Sequence, residues 1–432
     1  MLPIYNNGTQ SCEDFLKKLE TRGASPSAEI IETVTSILED VRKNGDKALL
    51  AYTERFDRVM LTAETLEMSK SALQEQADKV PEELKTTIRR AAENIRRYHE
   101  KQLRQSFFDT SDTEKLVGMR ITPKKRAGVY VPGGSAAYPS SVLMNVIPAK
   151  VAGVSEIVMT TPLRDGVIPP AVAFAALTAG VDRVFLCGGA QAIAALAYGT
   201  ESVPRVDVIA GPGNIYVATA KRLVYGACDI DMIAGPSEVL AIADASADPA
   251  FAAADLLSQA EHDPLASSVF VTNDKTLAER VSAELDKQLA KLSRSEIAGR
   301  SIDSFGAAVV CESMDDCFTL AARIAPEHLE LLTENPLADL SKVQNAGSIF
   351  VGAYSPEPLG DYFAGPNHVL PTGGTARFAS PLSVDTFIKK SGVICYTREG
   401  LAQYKDDIIR FAESEGLGAH AASIRVRFAE DK

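Results

Sequence analysis

Gln259-Ala-Glu-His262 sets an amide and an imidazole three residues apart. The surrounding DLLSQAE (255–261) reads as a helix that Pro264 ends, so both side chains can face one object. An amide oxygen with an imidazole suits a borderline metal such as zinc, and the same pattern also suits a polar helix end. Glu327 and His328 follow the rigid Pro326. Neighbours do not share a face of a helix or strand, but at the terminus of an element both can border a cleft. Imidazole is the usual general base near neutral pH, and a carboxylate beside it can activate water; an exposed acidic helix start would look the same. Asp361 and His368 fall in GDYFAGPNHVLPTGG, where Gly360, Gly365, Pro366, Pro371, Gly373 and Gly374 predict a loop. Such a loop holds ligands well, or forms a turn in which Asp361 satisfies backbone amides. Glu415 and His420 lie near the chain end, where solvation of a tail is the plain reading. The stretch GLGAHA (416–421) imitates a dinucleotide fingerprint, but it follows a helix and no βαβ unit comes after it.

His262, His328 and His368 thus sit in motifs with chemical potential, while His420 does not stand out on its own. His99 falls in a helix with Arg89, Arg90, Arg96 and Arg97 and is expected on a solvated face. Six cysteines at 12, 187, 228, 311, 317 and 395 form no C-x-x-C pair, which argues against a disulfide framework or a thiolate zinc site. Cys187 and Cys228 could serve aldehyde oxidation as thiolates, but their apolar contexts favour inert core positions.

These residues need a scaffold, and 432 residues are enough for two or three domains at roughly 150 residues each. A 46% hydrophobic and 24% charged composition is that of an ordinary globular protein. The net charge of −12 argues against nucleic acid as a partner. The start lacks a basic stretch followed by an apolar run, and Val167–Val181 is too short to span a bilayer and contains Pro169-Pro170. A cytoplasmic protein without membrane contact is expected. GVYVP (128–132), EIVMTTP (156–162), RVFLCGG (183–189) and DVIAGPG (207–213) read as short strands separated by Ala-rich helices. A second set, VLAIAD (239–244), SVFVTND (268–274), AAVVCES (307–313) and SIFVG (348–352), follows with its own helices. The alternation predicts an α/β fold with two Rossmann-like but incomplete parallel-sheet domains. The expected boundaries are an N-terminal arm at 1–26, a discontinuous first domain at 27–129 plus 238–380, a second at 130–237, and a helical C-terminal tail at 381–432. Turns such as Pro132–Ser135, Gly188–Gln191, Gly211–Asn214 and Gly235–Ser237 are expected at strand ends, where ligands bind in open α/β sheets.

Taken in order, GVYVPGG, GGAQAIAALAYGTESVP, GPGNIYVATAK, IDMIAGPSEVLAIAD, DLLSQAEHDP, APEHLEL, SPEPLGDYFAGPNHVLPT and EGLGAHAASIRVR resemble the histidinol dehydrogenase family over most of the chain. The resemblance implies oxidation of L-histidinol to L-histidine through the aldehyde, with water and two NAD⁺. It implies one Zn²⁺ per subunit held by Gln259, His262, Asp361 and His420, and proton acceptors at Glu327 and His328. Substrate contacts would fall on Ser237, Gln259, His262, His328, Asp361, His368, Glu415 and His420, and NAD contacts on Tyr130, Gln191 and Asn214. It further implies a homodimer in which Glu415 and His420 serve the neighbouring subunit's site. The residues leave two other readings open: a zinc and NAD dehydrogenase of another small alcohol, such as a sulfonated diol, and a metal hydrolase or metal-binding scaffold.

Overall fold

The computed structural model describes residues 2–22, 26–133, 138–164 and 166–429. The chain forms two compact units, Met1–Gln102 with Lys124–Phe387, and Leu103–Pro123 with Ile388–Lys432. The larger unit contains two six-stranded sheets. The first runs in the order Ile4–Asn6, Gly306–Val310, Ser267–Thr272, Glu238–Ala243, His328–Leu332, Ser348–Val351, with every pairing parallel. All six residues of Glu238–Ala243 are buried, because helices cover both faces of the sheet. Alternate residues serve different cores. Val239, Ala241 and Ala243 pack with Leu256 and Val281 on one face, while Leu240 and Ile242 pack with Phe15 and Leu320 on the other.

The second sheet runs Glu67–Met68, Arg183–Phe185, Glu156–Thr160, Arg126–Tyr130, Val208–Ala210, Asp229–Ile230. Its pairings are parallel except for the antiparallel edge strand Glu67–Met68. Here the expected boundaries need correction. The apolar stripe Val34, Ile37, Leu38 and Val41 of the helix Ala28–Asp57 packs with Phe185, Ile193, Leu196 and Val206. The segment from residue 27 therefore belongs with 130–237, not with 238–380, and a cut after 129 would split the strand Arg126–Tyr130. A helix stripe specifies that it must be buried, not which sheet buries it. The expected arm is also built in: Ile4–Asn6 is an edge strand of the first sheet, and the helix Gln10–Thr21 buries Cys12, Phe15 and Leu16.

His99 is a second correction. It is 0% exposed on the helix Glu82–Glu100, with Nδ1 2.8 Å from the Ile95 carbonyl and Nε2 3.3 Å from the Asn367 amide. Asn367 also donates to the Met144 carbonyl at 2.6 Å. The imidazole thus pins the helix to the residue that precedes His368.

The smaller unit is a three-stranded antiparallel sheet, Ile388–Tyr396, Lys115–Pro123, Phe107–Asp112, followed by the helices Arg398–Ala402, Lys405–Ser414 and Gly418–Arg425. The tail's α-helices follow its strand, and residues 103–123 join it instead of the first domain. No helix among the described residues is long and apolar enough to cross a membrane.

Candidate active site

Glu327 and His328 stand where the strand His328–Leu332 begins, both buried. The adjacent strand Glu238–Ala243 fixes them. His328 Nδ1 lies 2.8 Å from the Glu238 carbonyl, which can only accept, so Nδ1 carries the proton and Nε2 keeps its lone pair. Nε2 is buried without a hydrogen-bond partner. Burial lowers the His328 pKa from its ordinary value, so the imidazole is neutral near pH 7. Glu327 accepts the Glu238 amide at 2.9 Å; burial and the Glu238 charge raise its pKa well above the carboxylate range. Glu238 in turn pairs with Arg22, which also donates to the carbonyls of Ser237 and Leu265. The residue that ends the helix Gln10–Thr21 thereby reaches Glu327 and His328 through Glu238, a link between segments remote in the chain. Ser237 is half-buried and precedes the same strand.

The candidate metal donors come from two helices and the turn that follows one of them. Gln259 lies near the end of the helix Pro249–Ala260, and His262 just past it, exposed. Asp361 sits in the helix Glu357–Tyr362. The loop expected from Gly360 onward therefore starts later, because Pro356 and Glu357 begin a helical turn that Gly360 does not break. Ligand atoms of His262, Glu357 and Asp361 lie within 4.8 Å of one another, the one such group among the described residues. Gln259 is 1% exposed and its Oε1 has no hydrogen-bond partner. A buried amide oxygen without a donor costs about 1–3 kcal/mol, which a bound cation would relieve. An orphaned amide oxygen, an imidazole and two carboxylates fit a zinc ion. Burial acts to raise the Asp361 pKa, but the hydrogen bond and charge of His368, with His328 and His262, hold it at about 2. His368 Nδ1 is 3.6 Å from Asp361 Oδ1. Asp361, His262 and His368 also act electrostatically on His328, so these four side chains neighbour one another. Sequence reasoning missed Glu357; its signal was the four-residue spacing to Asp361. It also missed the buried Asp255 and Glu330 behind it.

These residues cluster at the amino ends of the first sheet's strands, contrary to the expectation drawn from Gly235–Ser237. That turn precedes Glu238–Ala243 and leads from the second sheet's last strand into the first sheet. The carboxyl ends of the second sheet carry the other group. Strands 156–160 and 208–210 flank 126–130, so the order reverses between Arg126–Tyr130 and Val208–Ala210, where open sheets form their ligand crevice. Tyr130 ends the central strand, and its hydroxyl accepts the Gly189 amide at 3.2 Å. Asn214 Oδ1 caps the helix Ile215–Val224. Gln191 is buried in the helix Gly189–Tyr198 with Nε2 unpartnered. Gly211 has φ +117°, and a Cβ there would come within 2.1 Å of the Tyr130 carbonyl oxygen. Gly134 and Ser135 of the expected first turn lie outside the described residues.

Glu415 and His420 belong to the smaller unit, after the helix Lys405–Ser414 and within Gly418–Arg425, and both are exposed. Cys187 and Cys228 are buried. Burial pushes the thiol of Cys187 up strongly and that of Cys228 to about 12, so neither is a thiolate near neutrality.

The pattern of the family described as Histidinol dehydrogenase matches residues 20–428. The chain is 50% identical over 429 residues to a histidinol dehydrogenase of Clostridium acetobutylicum, covering 99% of each chain. It is 53% identical over 407 residues to one of Geobacter metallireducens, covering 94% of this chain and 93% of the relative. The crystal structure of histidinol dehydrogenase from Elizabethkingia anophelis superposes with a TM-score of 0.92 at 37% identity, covering 99% of this chain and 98% of that one.

Proposed function

The chain belongs to the histidinol dehydrogenase family, and from that premise we propose that it oxidises L-histidinol to L-histidine in two steps, by a zinc-assisted reaction in a homodimer. In the first step the primary alcohol loses a hydride to NAD⁺ and a proton to the enzyme, giving the aldehyde. Water adds to the aldehyde, and the gem-diol loses a second hydride and proton to give the carboxylic acid. The balance is one histidinol, one water and two NAD⁺ consumed.

The observation that carries the reading is His328, whose Nε2 is buried and has no hydrogen-bond partner. Its Nδ1–H is held by a backbone carbonyl, so only Nε2 can take the hydroxyl proton. Glu327 beside it has a raised proton affinity, which suits a group that draws a proton from water. Gln259, His262, Asp361 and His420 are the proposed zinc ligands, with Ser237, His368 and Glu415 facing the substrate. When bound, zinc would hold the imidazole and amine of histidinol and polarise its hydroxyl. Tyr130, Gln191 and Asn214 are proposed to receive NAD⁺; the crevice at the strand reversal and the close approach at Gly211 support this. Glu415 and His420 are proposed to act in the neighbouring subunit, a reading supported by their exposure on the smaller unit. A cytoplasmic location is supported by six free cysteines, five of them buried.

The test is NADH formation by purified protein with L-histidinol, with and without a strong chelator. Two NADH per histidinol and loss of activity with the chelator are expected. One NADH with release of aldehyde, or none, would overturn the reading.

A further inference from the structure

Glu357 is the buried acid that the expected ligand set leaves without a task, and we propose that it is itself a metal ligand, from the same chain as His262 and Asp361. The inference rests on the zinc reading above. Glu357 is 2% exposed and lies one helical turn before Asp361. Two carboxylates at this spacing face each other, and burying both as anions is costly without a cation between them. Ser258 donates to Glu357 Oε2 at 3.0 Å, but Oε1 is buried with no hydrogen-bond partner. Behind Glu357, its own backbone amide donates to Glu330 Oε1 at 2.9 Å, so the helix start is fixed and the side chain is held in place. A carboxylate oxygen of Glu357 lies within 4.8 Å of ligand atoms of both His262 and Asp361. With the unpartnered Oε1 of Gln259, one chain by itself presents four donors: an amide oxygen, an imidazole and two carboxylates. That number is enough to hold a zinc ion where the tail contributes nothing, and His420 would be a further donor.

The consequence is that a full-length chain lacking the His420 imidazole still holds metal, and does so through Glu357. The experiment measures affinity for Zn²⁺ by competition with a chromogenic chelator, and the visible spectrum of bound Co²⁺. It uses the wild type and the variants Glu357→Gln, His420→Asn, the double variant, and His262→Asn, each checked for folding by thermal melting. His420→Asn is expected to keep a metal site. Adding Glu357→Gln to it should weaken binding by at least about tenfold and change the Co²⁺ bands. A double variant that binds as His420→Asn does, or that loses affinity with unchanged Co²⁺ bands, would overturn the ligand role. Complete loss of metal in His420→Asn alone would overturn it too. Undiminished binding in His262→Asn would instead sink the metal centre itself.

Discussion

At the scale of single residues, the proposed site separates proton transfer from ligation. His328 has one nitrogen committed to a carbonyl and the other free, so His328→Asn removes the base without touching a proposed ligand. Turnover is expected to fall by about 10²–10⁴-fold with zinc content retained. Loss of metal in that variant, measured by elemental analysis, would contradict the assignment. Since burial lowers its pKa, His328 is deprotonated down to below its ordinary value of 6.5. The acid limb of kcat/KM that His328 governs is therefore expected below 6.5, and a limb above it would speak against His328 as the base.

At the scale of elements, the buried ion pair between Arg22 and Glu238 joins the end of the N-terminal helical segment to the strand that holds the base pair. Arg22→Ala leaves Glu238 as an uncompensated buried charge beside Glu327. A loss of about 3–5 kcal/mol in unfolding free energy is expected from denaturant titration. A loss under about 1 kcal/mol would mean that the pair contributes little there. Gly211 is a backbone constraint of a different kind. Gly211→Ala adds a methyl where the Tyr130 carbonyl already lies, at a φ that L-residues rarely adopt. Weaker NAD⁺ binding is expected by fluorescence titration, together with a lower melting temperature; unaltered affinity would place the dinucleotide elsewhere.

At the scale of the whole molecule, the proposed exchange of tails between subunits predicts complementation. His328→Asn and His420→Asn proteins, each nearly inactive, should regain about a quarter of wild-type activity when co-expressed. Half of the dimers are then mixed, and one of their two sites is intact. No recovery in a mixed dimer shown to form would place His420 in its own chain's site. His99 couples stability to pH. Its imidazole is buried and its folded-state pKa is lowered, chiefly by desolvation. The unfolded chain therefore binds a proton first as pH falls. The contribution of His99 is complete above its ordinary value of 6.5 and is lost as pH drops from there toward the folded value. The melting temperature of the wild type should exceed that of His99→Gln by more at about pH 8 than at about pH 5. An equal gap at both would show that His99 does not titrate on unfolding.

Local chemistry and periodicity were enough to read four strands of each six-stranded sheet, because buried strands write themselves as β-branched runs and their crossover helices as Ala-rich stretches; the strand His328–Leu332 and the edge strands were not read. Gln259 with His262, and Glu327 with His328, were legible because each pair shares one element end. Other features needed the tertiary structure. Nothing in the stripe of Ala28–Asp57 says which sheet will cover it, so that segment was expected in the wrong domain. His99 shares its helix with four arginines, and only the approach of Asn367, from far along the chain, makes it a core residue. The proposed metal centre shows the same division. Single motifs named His262 and Asp361 from the sequence, but the packing of two helices brings them together and adds Glu357. A sequence fixes which side chains can ligate or titrate; the distance between residues remote in the chain, and the burial that shifts their proton affinity, exist only once the sheets have packed.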